Sequence, residues 1–245
     1  RAMFYYYAMD MFGRVPLVLS TDEQRYSSQF QGQTDRSSVF HFVFLELQQV
    51  LPSLPDQHSN KEGNYYGRIT QPVVNFLLAK LALNAEIYMY DDWTQGYACR
   101  PKGSDIHFSV PASDASLRNG DKVDCRKLNA WETCIYYCDK LAEEGYVLES
   151  DDSFNFSTHN ETSKENIFTI PMDKNIYTNQ FHYLFRSYHY THGGALGWGS
   201  ENGTCATIST MKANRYGEAD EDTRCRMNFV AGVVEVDGEK LLMDK

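Results

Sequence analysis

The chain has 245 residues, 42% of them hydrophobic, enough for one large core or two small ones, and an aromatic share of 14% is high. Its net charge of −10, with no run among the 23 Lys and Arg residues, excludes a general nucleic-acid binder, because neutralising phosphates takes clustered cations. No stretch approaches the roughly 20 consecutive apolar residues that cross a bilayer.

Arg1 enters an amphipathic pattern at once. Met3, Phe4, Tyr7 and Met11 recur at helical spacing and predict a helix over 1–12 closed by Gly13 and Pro16. No capping residue precedes it, so the expectation is a helix cut at its start. A second helix is expected over 35–51, with Val39, Phe42, Val43, Leu45, Leu47 and Val50 around it, Asp35 as N-cap and Pro52 just past its end. The third, over 70–89, carries Val73, Phe76, Leu77, Leu81 and Ile87 at three- and four-residue spacing. Thr70 is placed to cap it, and Pro72 falls in the first turn, where a missing amide donor is tolerated. Ala79, Ala82 and Ala85 leave room for a neighbouring helix. Residues 54–66, rich in Pro, Asn, Asp and Gly, predict an antiparallel hairpin of helices two and three.

Residues 94–124 then interrupt the helices with Gly, Pro, Ser, Asp and Asn, an inserted surface loop with a small strand at 106–110 that could help to shape a ligand rim. A fourth helix is expected over 126–144, closed by Gly145. Beyond it the patterns shorten to strands and polar-aromatic loops, ending in a hairpin whose turn is Asp237-Gly238. The chain therefore reads as a helical region over 1–146, with its insertion, and a loop and short-strand region over 147–245.

The stretch from Tyr177 to Trp198, YTNQFHYLFRSYHYTHGGALGW, is the candidate binding region. A pyranose has an apolar C–H face that stacks on an aromatic ring, and hydroxyls that need paired donors and acceptors. Trp198 leads the candidates because Gly197 and Gly199 flank it; Tyr190, Tyr188, Tyr183 and Arg186 supply further rings and donors, and Asn202 follows. His182, His189 and His192 could gather imidazoles, but Gly193-Gly194 opposes the helix that would align them and no Cys or acidic residue joins them at ligand spacing, so no metal is assigned.

Cys99 with Cys125, bracketing the insertion, and Cys205 with Cys225 are candidate disulfides in an oxidising compartment. Cys134 and Cys138, on one helix face, are expected as buried small hydrophobes. The Asn-x-Ser/Thr matches at Asn155, Asn160 and Asn202 read as chance occurrences in an Asn-rich chain. No catalytic residue or cofactor is assigned. Acidic pairs at Asp91-Asp92, Glu143-Glu144, Asp151-Asp152 and Glu218 to Asp222 are adjacent in sequence rather than opposed across a bond, and no nucleophile elbow, phosphate loop, zincin or Rossmann motif occurs.

Four phrases in fixed order resemble those of the SusD/RagB family of Bacteroidetes outer-membrane lipoproteins. RAMFYYYAMDMFGRVP, residues 1–16, is similar to the family's aromatic helix and its D-x-F/Y-G-x-V/A-P turn. Residues 67–88 carry a GR-T…LLAKL-x-LNAE-x-Y phrase, residues 131–148 a W…C-D-K…G-Y-x-L helix, and SKENIFTIP, residues 163–171, resembles the strand that follows. The resemblance implies a mainly α fold: a tetratricopeptide-like helical repeat scaffold with a loop-rich, short-strand region packed on it. Such units bury their apolar faces only against neighbours. It also implies an oligosaccharide ligand, or in some members a peptide, and a SusC-like TonB-dependent transporter as partner. The implied lipid anchor to the outer membrane lies upstream of Arg1, and no catalysis is required.

Overall fold

The computed structural model describes residues 1–19, 32–112, 125–172, 175, 206–228, 232–236 and 239–243. The chain forms two compact units, Arg1–Ile170 and Pro171–Lys245, and is mainly helical with a few short strands among the described residues.

In the first unit, α1 (Ala2–Phe12) stops at Gly13, whose φ of 72° is left-handed and whose amide donates to Met9 O at 2.8 Å. Tyr6 and Met9 are buried, and Tyr5 packs edge-on against Phe42 with ring centres 5.6 Å apart. The Tyr5 hydroxyl donates to Val18 O at 2.9 Å and accepts from Val18 N at 2.8 Å.

In α2 (Arg36–Val50), the buried stripe is Val39, Phe40, Val43, Phe44 and Leu47, while Leu45 and Val50 face solvent. Asp35 is the N-cap residue, but its carboxylate makes no cap bond and pairs instead with Arg14 Nε at 3.2 Å.

The next helix, α3 (Gln71–Leu83), is covered on most sides: Val73, Val74, Leu77, Leu78 and Leu81 are buried, with Ala79 and Ala82. Its most extensive partner is α5 (Ala130–Glu143), while α2 touches it less. Thr70 occupies the N-cap, yet its hydroxyl makes no cap bond and is buried without a partner. The helix expected to run to 89 breaks at Asn84, whose side-chain amide turns back to donate to Lys80 O at 2.9 Å; a side chain that competes for a helix carbonyl favours an end. A short α4 (Ala85–Tyr88) resumes after it.

The fourth helix starts later than its apolar pattern suggests. Residues 126–129 belong to a strand, β2 (Cys125–Asn129), paired antiparallel with β1 (His107–Pro111) so that Phe108 lies opposite Leu128. The start of α5 is fixed by a capping box: Asn129 Oδ1 accepts from Glu132 N and Glu132 Oε2 from Asn129 N, both at 2.9 Å. The hairpin inserts Phe108 into the core, stacked on Phe44 at 4.3 Å, and Phe40 lies 5.6 Å from the Tyr88 ring.

The strand expected at 163–171 joins no ladder. Instead, Ser163 is buried and donates to Asn155 Oδ1 at 2.7 Å, Asn155 donates to Glu165 Oε2 at 2.8 Å, and Ile167 and Phe168 pack on the core. The amide of Asn155, the first Asn-x-Ser/Thr match, is thus engaged internally.

The thiol of Cys99 is free and points to Gln95 O at 3.6 Å, so the candidate Cys99–Cys125 bridge is not formed. Cys138 is exposed rather than buried, and Cys134 half-buried.

The second unit contains α6 (Ile208–Ala213), capped by Thr207 accepting from Thr210 N at 3.2 Å, and the short α7 (Cys225–Asn228). The expected hairpin is present as β3 (Gly232–Val236) and β4 (Glu239–Met243), with Val236 opposite Glu239; its turn, Asp237-Gly238, lies outside the described residues. Cys225 is a buried thiol near Asn214 O, and Cys205 lies outside the described residues.

Candidate functional site

The residues singled out for ligand binding, Tyr183, Arg186, Tyr188, Tyr190, Trp198 and Asn202, lie outside the described residues, as do His182, His189 and His192. Among the described residues, the first unit nevertheless presents two concave surfaces of different chemistry.

One is a mostly apolar groove of about 600 Å³ between α1, α3, α5 and residues 146–148 and 165–168. Aromatic rings of Tyr6, Tyr7, Phe76, Tyr146 and Phe168 line it, with Asn166 and Glu165. The Lys80 ammonium lies 5.7 Å from the Tyr6 ring centre and 5.8 Å from that of Phe76, a cation held against two aromatic faces. At one wall, Tyr146 stacks on His58 at 4.3 Å, and its hydroxyl is buried without a partner. Burial, and then the nearby Glu144 charge, keep that phenol from ionising.

The other is a polar cleft of about 430 Å³ between the end of α1 and the loop that follows α4. Its floor is a braced loop. Arg36 donates to Tyr90 O at 2.6 Å and Arg14 to Asp91 O at 3.2 Å, so two successive carbonyls are held by guanidinium groups. The Asp91 carboxylate accepts from Ser37 N at 3.0 Å and from the Ser37 hydroxyl, joining the loop to the first turn of α2. Tyr90 donates to Gly96 O at 2.8 Å across the loop. Between these ties, Asp92 caps a single 3₁₀ turn, Trp93–Gln95, accepting from the Thr94 hydroxyl, from Gln95 Nε2 at 2.6 Å and from Thr94 N at 3.3 Å. Those bonds, the Thr94 hydroxyl first, hold the Asp92 carboxyl below its ordinary value. The turn carries Trp93 with 74% of its surface exposed, and Phe12, at the end of α1, is 73% exposed beside the same cleft. Neither ring was singled out by spacing, because each sits at an element end where periodicity carries no signal; Trp93 after Asp91-Asp92 is visible only as an aromatic on a polar loop.

Members of each acidic cluster have identifiable partners. Asp91 and Asp92 brace the cleft loop, Asp151 caps Ser153 at 3.0 Å, and Asp222 pairs with Arg224 at 2.6 Å. Glu143 pairs with Lys140 at 2.9 Å and Glu144 accepts from Asn75. No group of three or more His, Cys, Asp or Glu placed to hold a metal ion occurs among the described residues, and no helix there is long and apolar enough to cross a membrane.

No family model matches the chain, and the comparison with curated proteins returns no match.

Proposed function

We propose that the protein is a SusD-like nutrient-binding protein of the outer-membrane surface, which captures an oligosaccharide and passes it, uncleaved, to a SusC-like TonB-dependent transporter. On this reading its helices are tetratricopeptide-like pairs serving as scaffold and docking face, and a lipid anchor outside this chain holds it to the membrane. What supports the reading is that the phrases resembling the family occupy positions on which the packing of the first unit depends. Gly67 sits at φ 68°, Ala79, Ala82 and Ala85 are covered by neighbours, and Asn84 ends α3.

Capture needs no bond cleavage. Aromatic faces take the C–H side of each sugar ring, and amides, imidazoles and guanidinium groups pair its hydroxyls; several rings must share the ligand because desolvating hydroxyls offsets most of each hydrogen bond. The stretch 177–198 has the side chains for this, Trp198, Tyr190 and Tyr188 above all.

The mostly apolar groove against α1, α3 and α5 favours a second reading, a member that binds a peptide or docks a protein. A glycan-array screen with mass spectrometry of the eluted ligand separates these. Saturable retention of an intact oligosaccharide supports capture, shortened products indicate a glycoside hydrolase, and protein retention that soluble sugar does not compete selects the second reading. In the capture case, Trp198→Ala weakens glycan binding without lowering the melting temperature.

A further inference from the structure

We propose that the polar cleft between the end of α1 and the 90–96 loop is a carbohydrate subsite, in which the Trp93 indole and the Phe12 ring bear on a neutral sugar whose hydroxyls meet Arg14, Gln33 and Asp10. This rests on the glycan-capture reading and adds to it a site far in sequence from the 177–198 stretch.

Three observations carry it. Trp93 is the first. A large aromatic side chain left three-quarters in water forfeits the burial that would stabilise the fold, and an isolated case needs no explanation. Here the same cleft has two, Trp93 and Phe12, among polar lining groups.

The second is rigidity. The loop under Trp93 is tied by Arg36, Arg14, Ser37, Tyr90 and Asp92 through eight hydrogen bonds reaching α2, the α1 end and the loop itself. None of them involves the indole. A scaffold that fixes the backbone beneath a ring while leaving the ring uncovered is organised for a ligand, since little conformational entropy remains to be lost when the ring is stacked upon.

The third is charge. Two acids, Asp10 and Asp91, and two bases, Arg14 and Arg36, line the cleft, so its formal charges cancel. Asp91 and Arg36 are committed to the loop; Arg14 gives one donor to Asp91 O and pairs through Nε with Asp35 but keeps further guanidinium donors, and Asp10 accepts from the Tyr88 hydroxyl while retaining further lone pairs. A uronic acid or phosphorylated sugar would need an excess of positive charge that is not there. A neutral ring presents donors and acceptors in equal measure, which this lining matches.

The test uses the whole protein and a panel of neutral gluco-, xylo- and manno-oligosaccharides. In titration calorimetry, Trp93→Ala weakens the best binder by about tenfold, the loss of one stacking platform, and Trp93→Phe keeps most of the affinity. An exposed ring leaves the melting temperature unchanged. Oxidation of tryptophans by N-bromosuccinimide, mapped by mass spectrometry on the unsubstituted protein, gives a readout that does not depend on a variant folding: bound sugar protects Trp93. Full affinity in Trp93→Ala, or an unprotected Trp93 in the sugar complex, overturns the subsite while leaving glycan capture standing. Failure of every oligosaccharide to bind the unsubstituted protein overturns both. Protection of Trp93 by a protein and by no sugar assigns the cleft to a protein partner and overturns the carbohydrate class.

Discussion

The side-chain amide of Asn75, on α3, donates to Glu144 Oε1 at 3.2 Å just past the end of α5, while Asn75 Oδ1 and Glu144 Oε2 are both buried without a partner. A buried carboxylate oxygen without a donor favours the protonated acid, at a contact between the two most extensively packed helices. Burial is the main reason that the Glu144 carboxyl is pushed up to about 7; Asp56 and Glu143 add to it, against the Asn75 bond and Lys140.

A carboxyl raised from its ordinary 4.5 binds its proton more tightly in the folded chain, so its contribution is complete below pH 4.5 and is lost as pH rises through 7. Discounted for its partial exposure, the loss is on the order of 1 kcal/mol. Glu144→Gln keeps the pair neutral at every pH. Melting curves between pH 4.5 and 8 are expected to converge at the acid end and to favour the variant at pH 8; parallel profiles would remove Glu144 as the source.

Gly103 is expected not to tolerate a side chain. A Cβ there would lie 2.5 Å from Trp131 Nε1, and the backbone has little room to yield because Gly103 N donates to Glu86 Oε1 at 2.7 Å and Gly103 O accepts from Ala130 N at 3.0 Å. Gly103→Ala should cost about 1–3 kcal/mol in urea unfolding. Because the Trp131 ring is half exposed, adding Trp131→Ala should recover part of that loss; no recovery would place the strain in the backbone.

The capping box at the start of α5 predicts a smaller effect. Asn129→Ala removes the acceptor for Glu132 N and is expected to cost about 1 kcal/mol, whereas Asn129→Asp should cost little. Equal losses in both variants would show that the β2 pairing, rather than the cap, needs asparagine.

The two helix cysteines should differ in reactivity. Cys138 is exposed, whereas burial, with Cys138 nearby, pushes the Cys134 thiol up to about 11. Brief iodoacetamide treatment at pH 8, followed by peptide mapping, is expected to label Cys138 well before Cys134; the reverse order would contradict the packing of α5.

The helical framework was legible because its periodic stretches are long. The ends of α1 and α2 followed from Gly13 and Pro52, and the alanine spacing of α3 anticipated close packing. What escaped was settled by side chains acting on backbone. Asn84 breaks a helix whose apolar pattern continues, and Asn129 with Glu132 starts one later than that pattern does. Pairing with β1 makes a strand of Cys125–Asn129, a partnership that no local spacing encodes. The polar cleft was illegible for a related reason: its two rings come from the end of α1 and a loop some eighty residues later, and only the fold joins them.

The phenol of Tyr5 takes the place of a missing sheet neighbour. By donating a hydrogen bond to Val18 O and accepting one from Val18 N, a single oxygen engages both polar groups of a residue beyond α1. The aromatic at position 5 is therefore chosen by the main chain as much as by the ring of Phe42 beneath it. Phenylalanine would fill the same volume and leave an amide and a carbonyl stranded, so one hydroxyl group holds Val18 in the segment leaving α1.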